Sequence, residues 1–215
     1  MSGTRLDGRV ERGNRTRQLV LRRTVDIASV EGLDALSVGR IATELQLSKS
    51  GVFALFGSKQ ELQLATVREA SRIYVEQVVR PAADTPVGLA RLWRLCELWL
   101  DYSEGRVFPG GCFFYGVIAE YDARSGPVHD AVVRAQRDWT AHIERTITEA
   151  RDDTRELRAD TDAPQLAFEL IALMETANVV SVLHDDGTAY RRARIAIASR
   201  LRAAAADPSV VPQVP

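Results

Sequence analysis

LSVGRIATELQLSKSGVFALFGSKQEL, residues 36–62, decides how the chain is read. It breaks into three short helices, each announced by a serine. After Ser37, the apolar residues Val38, Ile41, Ala42 and Leu45 fall at i, i+3, i+4 and i+7, one stripe on one helical face. A tight break follows at Gln46 and Leu47. Ser48 then caps a second helix, Lys49 to Phe56, which Gly57 ends. Ser58 with Glu61 three residues on is a capping-box pattern opening a third helix. Two short helices joined by a tight turn, with a cation at the start of the second, is the layout of a helix-turn-helix, whose second helix enters the DNA major groove.

The candidate DNA-contacting residues follow from that layout. Lys49 sits in the first turn of the second helix, within reach of guanine O6/N7 or a phosphate. Ser50, Gly51 and Val52 adjoin it. Gly51 permits close backbone approach, and Val52 offers methyls either to a thymine or to the core. Arg40, Ser37 and Lys59 lie beside this surface. The serines at 37, 48 and 58 are helix caps, each worth about 1 kcal/mol, and their amides can also receive phosphates. Phe53 and Phe56 read as core positions. Arg5, Arg9, Arg12 and Arg15 belong to a basic N-terminal stretch, either a minor-groove or phosphate contact or a solubilising tail. Lys49 and Lys59 are the only lysines in a chain rich in arginine.

The charge distribution agrees. Across 215 residues the net charge is −1, yet residues 1–60 carry +4 and the remainder −5. A basic first quarter on an acidic remainder suits contact with phosphates at one end only. Composition is otherwise ordinary for a globular protein, and no run matches a membrane span. The N-terminus lacks the apolar core of a secretory signal. Cys96 and Cys112 form no disulfide framework or metal pattern; they read as buried small hydrophobes or, less simply, a redox pair. No zinc motif, phosphate loop or nucleophile elbow is present, so neither enzyme nor cofactor is expected, and a cytoplasmic location is.

Along the chain the elements are all helical. Residues 1–13 read as a flexible basic arm and 14–80 as the helix-turn-helix domain, its first helix ending at Gly32 and its fourth running to about Val79. Pro81 and Pro86 mark a boundary. Residues 81–206 form a larger helical domain, with helices expected at about 86–104, 112–123, 127–151, 164–184 and 188–206, about nine in all. Residues 207–215, with three prolines, read as a disordered tail.

Val30-Glu-Gly-Leu33, Leu36-Ser-Val38, Ile41-Ala42, Leu47-Ser-Lys49, Phe53, Phe56-Gly-Ser-Lys59 and Glu61-Leu62 together resemble the DNA-binding domain of the TetR family of bacterial transcriptional regulators, over about Arg12 to Arg72. One departure concerns the recognition helix. Where many members carry adjacent aromatics and a histidine, with a tyrosine reaching a phosphate, this chain has Phe53, Ala54 and Leu55. Phe108-Pro-Gly-Gly-Cys-Phe-Phe114, followed by Glu120 and Gly126-Pro127, resembles one regulatory-domain subtype of the family.

The resemblance implies a homodimeric repressor that binds a palindromic operator and is released by a small-molecule effector, with the fourth helix as lever between the parts. The penultimate helix is apolar on several faces, which fits a central core helix or a pairing surface. By resemblance the last two helices pair with their twofold mates, with Phe168, Ile171, Val179, Val182, Ile195 and Leu201 at the interface. An effector pocket is implied among the middle helices, and its expected lining is Trp93, Cys96, Leu100, Phe108, Phe113, Phe114, Trp139, Met174 and Asn178; residue by residue the same side chains also read as plain core. The alternative function is a helical small-molecule-binding protein without a regulatory role at DNA.

Overall fold

The computed structural model describes the backbone of residues 3–213 and the side chains of residues 11–213. Its helices are α1 (Gly3–Glu31), α2 (Val38–Glu44), α3 (Lys49–Phe56), α4 (Lys59–Tyr74), α5 (Arg80–Ala83), α6 (Leu89–Glu104), α7 (Phe113–Tyr121), α8 (Pro127–Asp152), α9 (Ala163–His184) and α10 (Thr188–Ala204). Short 3₁₀ turns occupy Leu33–Ala35 and Pro208–Val210. No strand occurs among the described residues. The fold is all-α, as the capped, apolar-striped segments require.

Local chemistry sets most boundaries. Gly32, at φ 84°, ends α1 in the left-handed region, and its amide donates to the Ala28 carbonyl; glycine adopts that backbone at little cost. Asp162 caps α9 through the Gln165 amide, and a proline follows in the first turn. α9 ends at Asp185, itself left-handed at φ 53°.

Pro81 does not end the fourth helix. A π-helical turn over Val75–Val79 joins α4 to α5 without a break. Proline lacks the amide donor and its ring crowds the carbonyl four residues back; the wider π turn absorbs that misfit.

The chain divides into two compact units. One comprises Met1–Arg72 together with Phe108–Val132, the other Ile73–Val107 with Val133–Pro215. The helix-turn-helix unit is therefore not contiguous: it recruits the Phe108–Gly111 turn, α7 and the start of α8, which the sequence places in the C-terminal domain. Its core holds Val20, Val25, Leu33, Leu36, Ile41, Val52, Leu62, Phe108, Phe113 and Val117, all fully buried. The Phe108 and Phe113 rings stand 5.6 Å apart. Gly110 lies against the end of α1, where a Cβ would come within 1.8 Å of the Ser29 carbonyl oxygen, and its amide donates to Ser29 Oγ at 3.1 Å. That close approach accounts for glycine in the Pro-Gly-Gly turn.

The second unit packs α6, α9 and α10 around Leu92, Leu95, Cys96, Leu166, Leu170, Met174, Ile197 and Leu201. The two ends of the chain carry structure that their composition did not announce. The stretch read as an arm falls within α1, which begins at Gly3. The side chains of Arg5 and Arg9 lie outside the described residues, as does Pro215. The tail read as disordered is folded up to Gln213. Ala206 donates to the Glu156 carbonyl at 2.8 Å, Ala205 bridges to Leu157, and Arg202 Nη2 donates to the Pro212 carbonyl at 2.6 Å. Val211, 3% exposed, anchors the segment. Val211→Asp should accordingly lower unfolding stability by roughly 2 kcal/mol, the cost of losing this burial and hiding a carboxylate. Thermal denaturation reads the effect; an unchanged midpoint would show the tail to be energetically idle.

Candidate nucleic-acid interface

The turn between α2 and α3 is set by its own hydrogen bonds. Gln46 takes the left-handed backbone at φ 55°. Its amide donates to Thr43 O at 3.2 Å and the Leu47 amide to Ala42 O at 2.8 Å, the paired bonds of a Schellman stop. Two residues on, Ser48 Oγ accepts the Gly51 amide at 3.0 Å and starts α3. Ser37 and Ser58 cap their helices in the same way, through the Arg40 and Glu61 amides. A Cβ at Gly51 would sit 2.8 Å from Ser48 Oγ, so the glycine makes room for the cap as well as for any close partner.

α3 has two distinct faces. Val52 and Phe56, one turn apart, are buried at 0% and 7%. Arg17 braces the buried side, its Nη1 donating to the Leu55 carbonyl at 2.8 Å and its guanidinium lying 4.5 Å from the Phe56 ring centroid. Val52 is thus a core residue and not part of the reading surface. Phe53, expected in the core, is 54% exposed. Lys49, Ser50, Gly51 and Ala54 share its outward side.

The cations around this surface differ in their engagements. Arg40 pairs with Glu31 at 2.6 Å and with Glu44 at 2.8 Å, and Glu44 also takes Arg23 at 2.6 Å. The hydrogen bonds from Arg40 hold the Glu31 and Glu44 carboxyls below their ordinary range. Two arginines and two carboxylates therefore neutralise one another, and Arg40 binds α2 to α1 where the sequence offered it as a DNA contact. Lys59 Nζ donates to the Asp34 carbonyl at 2.7 Å. Lys49, Arg12 and Arg15 are exposed.

A second cluster sits behind the first, and the sequence reading missed its role. Glu120 on α7 accepts from the Leu33 amide at 2.7 Å and the Asp34 amide at 2.8 Å. Its carboxylate thereby caps the 3₁₀ turn that leads into α2. A Cβ on Gly32 would lie 2.6 Å from Glu120 Oε2, so this glycine is required for space as well as for its φ. Asp34 in turn pairs with Arg124, and its Oδ1 accepts from Tyr121 Oη at 3.2 Å and Gln63 Nε2 at 3.2 Å. The Arg124 hydrogen bond keeps the Asp34 carboxyl below its ordinary range, and burial pushes the Tyr121 hydroxyl up to about 12. The signals are Gly32 and Glu120, which the sequence places in different domains.

In the second unit the expected pocket lining is only partly assembled. Trp93, Cys96, Leu100, Met174 and Asn178 are buried there and Trp139 is half-buried, its ring 5.3 Å from Tyr74. Phe108, Phe113 and Phe114 belong to the first unit. A polar seam crosses this core: Ser103 Oγ donates to Asn178 Oδ1 at 2.9 Å, lies 2.8 Å from Tyr190 Oη, and Arg106 Nη2 donates to Ser181 Oγ at 3.0 Å. Arg106 Nη1 is buried without a hydrogen-bond partner among the described residues. Cys96 and Cys112 are both free and buried, and burial pushes the Cys96 thiol up to about 12.

α9 is long and apolar enough to cross a membrane by length and composition. In this fold its apolar surface divides between the core and an exposed stripe, on which Phe168 is 69%, Val182 46% and Leu183 72% exposed. With α10 it borders a groove of about 590 Å³ lined by Phe168, Ala172, Thr176, Ala193, Ala196 and Arg200 among others. Of the expected pairing residues, Phe168, Val182 and Ile195 are exposed and Val179 is half-buried. Ile171 and Leu201 instead fill the core.

Comparison with known proteins agrees with this geometry. Residues 20–66 match the family model described as bacterial regulatory proteins, tetR family, and residues 88–197 match the tetracyclin repressor-like C-terminal domain. Among solved structures, a TetR transcriptional regulator from Chloroflexus aurantiacus aligns at 23% identity with TM-score 0.83, covering 91% of this chain and 98% of that one. A putative transcriptional regulator from Saccharomonospora viridis in complex with choline aligns at 21% identity with TM-score 0.73, covering 86% and 95%. AibR in complex with isovaleryl coenzyme A and operator DNA aligns at 14% identity with TM-score 0.62, covering 78% and 85%. At these identities the likeness concerns the fold. No curated protein matches the chain.

Two outcomes test the Glu120 cluster. Glu120→Ala should destabilise the first unit by about 2 kcal/mol, since two amides lose a charged acceptor, and should speed hydrogen exchange at Leu33 and Asp34; unchanged exchange would refute the capping role. A carboxyl with a depressed folded-state value stabilises above its unfolded value, here 3.8, and loses that contribution as pH falls through the folded value. Arg124→Ala should therefore move the acid-unfolding midpoint to higher pH, as followed by circular dichroism.

Proposed function

The chain belongs to the TetR family of bacterial regulatory proteins, and on that premise we propose that it is a homodimeric, effector-responsive repressor of transcription acting in the cytoplasm. The observation that carries the DNA-binding part is α3 itself. It is capped at Ser48, seated on the core by Val52 and Phe56, and turned so that Lys49, Ser50 and Phe53 face outward. A helix so held presents its first turn to base edges in the major groove. Lys49 is assigned a guanine edge or a phosphate, and Ser37, Ser50, Lys59, Arg12 and Arg15 flanking contacts to the backbone.

The α9–α10 stripe supports the homodimer. An apolar, alanine-lined groove with an exposed Phe168 is surface that a solitary chain would leave wet, and a second copy of the same face covers it with twofold symmetry. Two linked heads convert two weak half-site contacts into one strong one. The effector is placed in the second unit at the polar seam of Ser103, Asn178, Tyr190 and Arg106, where the buried Arg106 Nη1 awaits an acceptor. Relief of repression requires that the effector bind one conformation better than the other. The helices α4 and α8 carry the chain from one unit to the other and offer the route for that change.

Lys49→Ala should weaken binding to an operator recovered from genomic fragments by a factor equivalent to ~1–3 kcal/mol, with the dimer intact. Unchanged affinity would mean that the reading surface is misplaced. Phe168→Arg should yield folded monomers by light scattering; a persistent dimer would move the interface elsewhere. Failure to recover any selected sequence would favour the small-molecule-binding alternative.

A further inference from the structure

We infer that the outward face of α3 reads thymine through its 5-methyl group, with the Phe53 ring as the contacting group and Ala54 beside it; this rests on the DNA-binding reading above. The face is unusual in chemistry. α3 carries Lys, Ser, Gly, Val, Phe, Ala, Leu and Phe in order, so its hydrogen-bonding side chains are Lys49 and Ser50 alone. Val52 and Phe56 are committed to the core, and the exposed arc runs from Lys49 through Phe53, Ser50 and Ala54. Phe53 lies one turn after Lys49 on the same side.

A phenylalanine exposed on the proposed reading face offers apolar area that a partner in the groove can bury. Phosphate is not that partner, because the ring has no donor. In the major groove the apolar feature of the base edges is the thymine 5-methyl, which takes phenylalanine and alanine as partners. Over a cytosine the same ring would cover the N4 donor and leave it unpaired. Phe53 therefore favours thymine and penalises cytosine, while Lys49 fixes the helix on a neighbouring edge or phosphate. Among the described residues the other phenylalanine exposed to this degree is Phe168, on the proposed pairing face. Both exposed rings thus lie where a partner is expected.

The test uses the full-length protein and the duplex it selects from random DNA. Each thymine in a half-site is replaced singly by deoxyuridine, which deletes only the methyl, and affinity is read by fluorescence anisotropy for the wild type and for Phe53→Ala. Because Phe53 is exposed, the variant should unfold at the wild-type temperature, and circular dichroism checks this. At one thymine per half-site the wild type should lose about fourfold in affinity, the factor expected for one buried methyl-sized group, and Phe53→Ala should bind both duplexes alike. Indifference of the wild type to every substitution, or the same loss in Phe53→Ala, overturns the inference while leaving specific DNA binding in place. A selected site without thymine does so too. Absence of any selected sequence removes the DNA-binding reading itself, and this inference with it.

Discussion

The Glu120 carboxylate, held by the amides of Leu33 and Asp34 across the side-chain-free edge of Gly32, fixes the entry into the helix-turn-helix. The first amides of a helical turn have no partner within it and must find one. Here they find it on α7, 86 and 87 residues further along the chain. From that contact the rest of the unit follows. The 3₁₀ turn buries Leu33, Asp34 is left facing Arg124, Tyr121 and Gln63, and Ser37 is brought to the position from which it caps α2. The reading helix is oriented by a residue that lies far outside the sequence motif naming it.

Electrostatics divide the same surface into fixed and available charge. Arg23, Arg40, Glu31 and Glu44 satisfy one another and tie α1 to α2. Exposed ion pairs of this kind contribute little stability individually, yet a network specifies geometry. What remains outward on α3 is a single lysine, one serine and an apolar ring. In the proposed function, a head of that composition would take specificity from shape and methyl contact and attraction from Lys49 and the basic first helix.

Much of this was legible in the sequence because it is local. Ser37, Ser48 and Ser58 predict caps that the structure places as expected, and Gly32, Pro127, Pro164 and Asp185-Asp-Gly187 bound helices within a residue or two. What was illegible depends on tertiary neighbours. α3 has apolar residues at 52, 53, 55 and 56, and two helical turns cannot say which of Val52 and Phe53 faces inward; Arg17 and the α1 core decide it. Arg40 looks available until Glu31 and Glu44 are seen to surround it. α7 lies within the segment matched to the C-terminal domain yet packs on α1, contacts that span the sequence and leave no local signal, and Pro81 reads as a stop because a π turn leaves no local signal either. Ile171 looks equivalent to Phe168 on a helix apolar on several faces, and only packing assigns it, with Leu201 of α10, to the core.

The central claim is a two-headed protein that distinguishes one DNA sequence from others. It is tested most directly by the salt dependence of affinity for the selected inverted repeat beside a scrambled duplex of equal length. A specific dimeric regulator loses affinity steeply with salt on both duplexes, from release of phosphate counterions, and binds the repeat tighter by on the order of 10³-fold or more at physiological salt. Equal affinity for repeat and scramble, or affinity for neither, would contradict it.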